Sequence, residues 1–209
     1  PLYSSAASDV YKRQTPGWAV DVALDGSYVY VADEEEGLLI LDVSDAQHPR
    51  EVVHYRMSAA VWGVDVSGGY AYVAASRAGL CILDVHNPAN PLLMGAFATP
   101  GYARGVDVQG THAYIAAEPR WEPRVSMYVG GGLWVINVTD RANPVEAGAC
   151  HTPGAATSVL VKSSYAYVAD QRGGLRVIDI SRPTAPLEVG AYHTALDAVD
   201  VDVLDTFAY

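Results

Sequence analysis

A tyrosine-centred triplet recurs at a fixed interval along this chain, and that interval constrains the fold more than any other feature. The triplet stands as Tyr28-Val29-Tyr30, Tyr70-Ala71-Tyr72, His112-Ala113-Tyr114, Tyr165-Ala166-Tyr167 and Phe207-Ala208-Tyr209. Its last residue recurs at spacings of 42, 42, 53 and 42. Self-similarity at such a period marks a stack of supersecondary units. The long interval holds 11 extra residues between Tyr114 and Gly132, because elsewhere a glycine (Gly37, Gly79, Gly174) follows the Tyr by seven.

Other columns keep the same register. Eight residues before each anchor stand Val22, Val64, Val106, Val159 and Val201. After the glycine come Leu38-Leu39-Ile40-Leu41-Asp42, Leu80-Cys81-Ile82-Leu83-Asp84, Leu133-Trp134-Val135-Ile136-Asn137 and Leu175-Arg176-Val177-Ile178-Asp179. Pro49, Pro91, Pro144 and Pro186 then open a further segment. The units are 15–56, 57–98, 99–151 and 152–193, with a fifth beginning at 194. Each holds four apolar runs of strand length between turn residues, too short for stable helices. Strands two and three are apolar on both faces, as in sheets packed between sheets. Four strands in each unit of about this length predict β-propeller blades. The fold expected is all-β: a β-propeller fragment of four complete four-stranded blades plus the start of a fifth. The fifth unit stops within a strand, so the chain is expected to be a fragment at both ends, with two blade faces uncovered and the blade count open.

Residues 1–14 lie outside the register. Asp9-Val10-Tyr11-Lys12-Arg13-Gln14 resembles a translated transposon end used in sequencing-library preparation. The segment is read as a non-native leader and set aside from the fold.

Composition narrows function by exclusion. The net charge of -11, from 24 acidic and 13 basic side chains, argues against binding nucleic acid through its phosphates. No apolar run is long enough for a transmembrane helix. Two cysteines are too few for a disulfide scaffold. No Gly-x-Ser-x-Gly, His-Glu-x-x-His, Walker or Gly-x-Gly-x-x-Gly signature occurs.

The Leu-x-[Val/Ile]-[Ile/Leu]-[Asp/Asn] segments, with Thr-Pro-Gly and Tyr-Ala-Tyr-Val-Ala phrases around them, are similar to the LVIVD repeat of bacterial and archaeal proteins. The resemblance covers residues 15–209. It implies a β-propeller scaffold or interaction module, in the extracellular space or cell envelope, and it implies no single chemistry. Asn137 and the 11-residue insertion depart from the pattern.

Three groups of residues carry candidate function. Asp65, Asp107 and Asp202 share a column in strand one, with Asp21 and Asp200 two residues earlier. Facing a central channel, such carboxylates suit Ca²⁺ through oxygen ligands. Alternatively they are solvated or hydrogen-bonded to backbone. The insertion carries Glu118, Arg120, Trp121, Arg124 and Tyr128, and Trp62 and Arg104 lie in entry loops on the same face. Trp, Tyr and Arg are the types enriched at binding hot spots, which points to a protein or glycan partner. The alternative is a hairpin that extends its blade. Asp42, Asp84 and Asp179 precede turns and are expected to bond local backbone N–H groups. The leading functional expectation is a non-catalytic interaction module. The alternative is a propeller hydrolase or lyase with a carboxylate-bound metal at the channel mouth.

Overall fold

A computed structural model describes residues 14–204 and 207–209. The expectations placed on residues 1–13 lie outside these. Among the described residues every regular element is a strand.

The first unit forms β1 (Ala19–Asp25), β2 (Tyr28–Asp33), β3 (Gly37–Asp42) and β4 (Arg50–Tyr55). The second forms β5 (Gly63–Ser67), β6 (Tyr70–Ala74), β7 (Leu80–Asp84) and β8 (Leu92–Phe97). The third holds β9 (Tyr102–Gln109), β10 (His112–Glu118), β13 (Gly132–Asn137) and β14 (Val145–Cys150). Within the third lies a separate hairpin, β11 (Arg120–Glu122) and β12 (Met127–Val129). The fourth forms β15 (Ser158–Lys162), β16 (Tyr165–Ala169), β17 (Leu175–Asp179) and β18 (Leu187–Tyr192). The fifth adds β19 (Val203–Leu204) and β20 (Phe207–Ala208).

Each complete unit is a four-stranded antiparallel meander in chain order. The register breaks at the same place between strands three and four of every blade, at Ile40/Leu41, Ile82/Leu83, Val135/Ile136 and Val177/Ile178. First strands of successive blades pack on one another, β1 on β5, β5 on β9 and β9 on β15. They therefore line the axis, and the fourth strands form the rim. This is the propeller arrangement expected.

The core lies between blades. One face of each blade offers four repeated columns: Tyr30, Ala32, Leu38 and Ile40; Tyr72, Ala74, Leu80 and Ile82; Tyr114, Ala116, Leu133 and Val135. The next blade receives them on its strand-one valine and the opposite face of its middle strands, for example Val64, Val73, Cys81 and Leu83. Two-sided burial explains why the middle strands are apolar at nearly every position before a terminal Asp. Burying a side chain such as Leu80 or Ile82 contributes about 1.5–3 kcal/mol each. A fourth cluster, Val31, Leu39 and Leu41, is drawn wholly from unit one.

Backbone hydrogen bonds clasp the blades at one end of the stack. Val61 N–H donates to Glu34 O, Ser76 and Ala103 exchange two bonds, and Gln171 and Ala198 exchange two more. The last pair attaches the fifth unit to the fourth.

Candidate functional site

The axial strands enclose a cavity of about 770 Å³. Its wall includes Val20, Trp62, Arg104, Thr157 and Val199, which share one column, ten residues before each triplet Tyr. Gly63 follows Trp62, and a Cβ there would stand 2.7 Å from the Arg104 carbonyl. The absent side chain lets β5 and β9 approach closely. The Arg104 guanidinium then stacks on the Trp62 ring at 3.9 Å. Its other side meets Glu118 at 2.7 Å, and Gln171 Nε2 donates to Glu118 Oε1 at 3.2 Å. The chain Trp62–Arg104–Glu118–Gln171 thus spans blades two, three and four. Trp62 and Arg104 are together, but Arg104 lies within β9 and not in an entry loop, and it is held by internal partners. Glu118 and Gln171 complete the cluster, and sequence reasoning did not pair them with Arg104. Their column, four after the triplet Tyr, reads Glu34, Ser76, Glu118 and Gln171, so no repeated residue type marks it.

The strand-one carboxylates form a belt between blades. Val64 N–H donates to Asp21 at 2.9 Å, Val108 N–H to Asp65 at 2.8 Å and Val161 N–H to Asp107 at 2.5 Å. Each Asp therefore ties its strand to the next. Asp21 stands two residues earlier in its unit than Asp65 and Asp107 do in theirs, and the amide it bonds, Val64, lies correspondingly two residues earlier than Val108 and Val161. Burial raises all three carboxyl pKa values above the ordinary range. Asp65 is pushed to about 6, by burial first and then by the charge of Asp107. Asp202, in the same column, is exposed and accepts from its own Val203 N–H. Asp200 accepts from Ser158 Oγ at 2.6 Å. Backbone bonding is the arrangement adopted by Asp65 and Asp107, and among the described residues no group of three or more His, Cys, Asp or Glu is placed to hold a metal.

The insertion is a hairpin whose strands pair only with each other. It does not lengthen the blade strands. Trp121 and Tyr128 are cross-strand partners in edge contact at 5.3 Å. They are 51% and 66% exposed, a large apolar surface left in water. Arg120 lies 3.7 Å from Glu122, and Arg124 sits in the exposed turn. At its base the hairpin closes on the entry loop of its own blade, where Gly101 and Gly130 pack backbone to backbone. It also flanks the next entry loop. Pro100, Pro119, Met127, Tyr128, Trp134 and Pro153 line a groove of about 530 Å³ between them. The hairpin and the entry loops share one face, as their places in the repeat predict.

The turn carboxylates behave as expected. Asp42, Asp84 and Asp179 accept N–H bonds from Ser44, His86 and Ser181, and Asn137 accepts one from Thr139. Hydrogen bonds from these residues hold the three carboxyls below the ordinary range, the Ser44 side chain first for Asp42 and the backbone N–H first for Asp84 and Asp179. A different pair of acids anchors the entry loops. Asp33 accepts from Gly17 N–H at 3.0 Å, and Asp170 accepts from Gly154 N–H and Thr152 Oγ1. Both are fully buried, and Asp170 also faces Arg176 at 3.5 Å.

The model of the LVIVD repeat matches residues 16–57, 59–99, 100–119 and 153–194. A comparison with curated proteins returns no match. Among solved structures, the computationally designed Ika8 protein superposes with a TM-score of 0.68 at 10% identity, covering 90% of this chain and 53% of that one. A structure of a nidogen/laminin complex gives 0.63 at 14% identity, covering 88% and 66%. The β-propeller domain of Myceliophteria thermophila Cps50 (Swd1) gives 0.62 at 13% identity, covering 85% and 59%. The chain spans about half the length of the designed protein. At these identities the likeness concerns the fold, and the fold is a β-propeller.

Proposed function

This chain belongs to the LVIVD-repeat family, and from that premise we propose that it is a non-catalytic interaction module of an exported or cell-surface protein. Its binding face carries the hairpin β11–β12, the groove beside it and the neighbouring entry loops. The partner is a protein or glycan that packs on Trp121 and Tyr128. One observation carries the reading: the 11-residue insertion into the repeat places two exposed aromatic rings beside the entry loops. Aromatic pairs offer large rigid contact area at low entropic cost, and such residues dominate binding energies. Trp62 and Arg104 serve this face by rigidity, because their stack is fixed between blades before any partner arrives.

The test titrates the full chain over an array of immobilised oligosaccharides and surface-protein ectodomains. Trp121→Ala with Tyr128→Ala is expected to weaken any specific binding by about 30-fold or more, with the thermal transition unchanged. Specific binding that survives the double substitution removes the hairpin from the site.

A further inference from the structure

The loops between strands two and three hold basic side chains in an acidic chain. Five residues after the triplet Tyr stand Glu35, Arg77, Pro119 and Arg172. Pro119 opens the insertion, which brings Arg120 and Arg124 to the same place in blade three. Four of the 13 basic side chains are thus gathered in the loops of blades two, three and four, and all four are exposed. Among the described residues Arg77, Arg124 and Arg172 have no ion-pair partner, and Arg120 has the 3.7 Å contact to Glu122. The clasps between blades fix where these arginines stand. Arg77 follows Ser76, which exchanges two backbone bonds with Ala103, and Arg172 follows Gln171, which exchanges two with Ala198. The Arg77 guanidinium lies over the Tyr102 ring at 5.6 Å. Tyr102 begins β9 directly after Gly101, on which the hairpin closes. The groove beside the hairpin reaches Pro153 and Gly154 at the entry of blade four. Arg172 lines a further recess of about 540 Å³ with Leu196 and Asp197. Cation, aromatic ring and groove therefore follow one another across one face from blade two to blade four. At blade one the sign reverses: Glu34, Glu35 and Glu36 fill the equivalent loop, and Glu36 meets Arg56 at 3.1 Å.

We propose that this arc binds an anionic polysaccharide, one whose repeating unit carries a carboxylate or a sulfate. The proposal rests on the hairpin reading above and names the class of its partner. Arginine suits both groups, because its planar fork donates two parallel N–H bonds to an oxyanion. Exposed arginine in three successive blades meets an anion on successive repeating units. The Trp121 and Tyr128 rings offer flat apolar faces to the C–H surface of a sugar ring, which a run of acidic side chains on a peptide lacks. The net charge of -11 does not oppose this binding. At physiological ionic strength exposed charges more than about 8 Å apart are largely screened, so the local arginines decide. Duplex nucleic acid, with one charge per ~1.7 Å of axis, brings far more phosphate than four arginines neutralise.

The experiment measures binding of the full chain to immobilised polygalacturonate and to dextran sulfate at about 0.15 M salt, two arms that separate carboxylate from sulfate recognition. Binding to at least one is expected, with none to unmodified dextran. Arg77→Gln with Arg172→Gln lies outside the hairpin and is expected to weaken that binding by about 10-fold or more, with the thermal transition unchanged. Trp121→Ala with Tyr128→Ala is expected to weaken it as well. Failure of both polyanions to bind overturns the proposal. The hairpin reading then stands or falls separately, on whether a neutral oligosaccharide or an ectodomain is held through Trp121 and Tyr128. Affinity unchanged by the arginine pair also overturns the proposal. Binding that falls with the arginines but not with the two rings upholds the arc and overturns the hairpin reading. Poly-L-glutamate held as tightly as either polysaccharide, with the same dependence on Arg77 and Arg172, overturns the polysaccharide as occupant and identifies an acidic polypeptide.

Discussion

Asp65 carries an ionised group where burial and Asp107 both oppose its charge. Its folded pKa of about 6 lies above the ordinary value of 3.8, so the native state holds the proton more tightly than the unfolded chain. Stability should therefore fall as pH rises through the interval between those values, and level off above it. Denaturant unfolding of the protein and of Asp65→Asn, compared from pH 4 to 7, isolates this group. The protein should lose stability relative to the variant as pH rises. The opposite slope would mean that the two N–H bonds outweigh burial. Asp170 and Asp33 make a second comparison. They hold equivalent entry loops, but only Asp170 faces a buried Arg176. Asp170→Ala strips that guanidinium of one of two carboxylates and should cost about 3–5 kcal/mol. Asp33→Ala leaves an orphaned loop N–H and should cost about 1–3 kcal/mol. Urea titration of both variants checks the order, and equal losses would show that Glu188 alone satisfies Arg176.

At the scale of elements, β11 and β12 make a cross-strand pair with each other and none with the blade. Removing residues 119–129 restores the seven-residue interval from Tyr114 to Gly132 that the other units show. The shortened chain keeps Glu118, and hence the ion pair to Arg104. Its melting temperature should move by no more than about 3 °C in a thermal scan, since exposed loop residues contribute little to the core. A large fall would make the hairpin part of the blade. The blade strands themselves were legible because both sides of each middle strand are buried, which favours apolar residues at nearly every position and repeats them at a fixed interval. The turn acids were legible because Asp before a turn has a local partner. The belt was only half legible. Asp65 and Asp107 share a column, but Asp21 stands two residues earlier in its unit, where it performs the same task on an equally earlier amide. The Arg104–Glu118–Gln171 cluster was not legible, because its members meet only when three blades stand side by side. An interaction between units leaves no periodic mark when each unit contributes a different residue type.

Among the described residues the apolar clusters, carboxylate bridges and backbone clasps each join a blade to its nearest neighbour. Each blade is joined to the next by an apolar cluster, and most joints add a carboxylate bridge or a backbone clasp. The described hydrogen bonds and ion pairs reach a third blade through the Trp62–Arg104–Glu118–Gln171 chain at the mouth. Such an architecture has a stability that is a sum of unit and interface terms, and its terminal units open first. Units two and three have a neighbour on each face. Unit one has a described neighbour on one face, with Val22 and Leu24 in water on the other side of β1. The fifth unit contributes two short strands, with Leu204, Phe207 and Tyr209 exposed. Native-state hydrogen exchange should therefore be slowest in β6, β7, β10 and β13, faster in β1, and fastest in β19 and β20. The carboxylate belt sharpens the expectation. The amides of Val64, Val108 and Val161 donate to half-buried acids on a preceding first strand, so they report the joints directly. If the joints are the cooperative units, Asp107→Ala should speed exchange at Val161 and through β15–β17 while leaving β6 and β7 unchanged. Exchange that accelerates equally in all four blades would show a single cooperative unit instead, with the mouth cluster coupling blades two to four more strongly than their pairwise interfaces do.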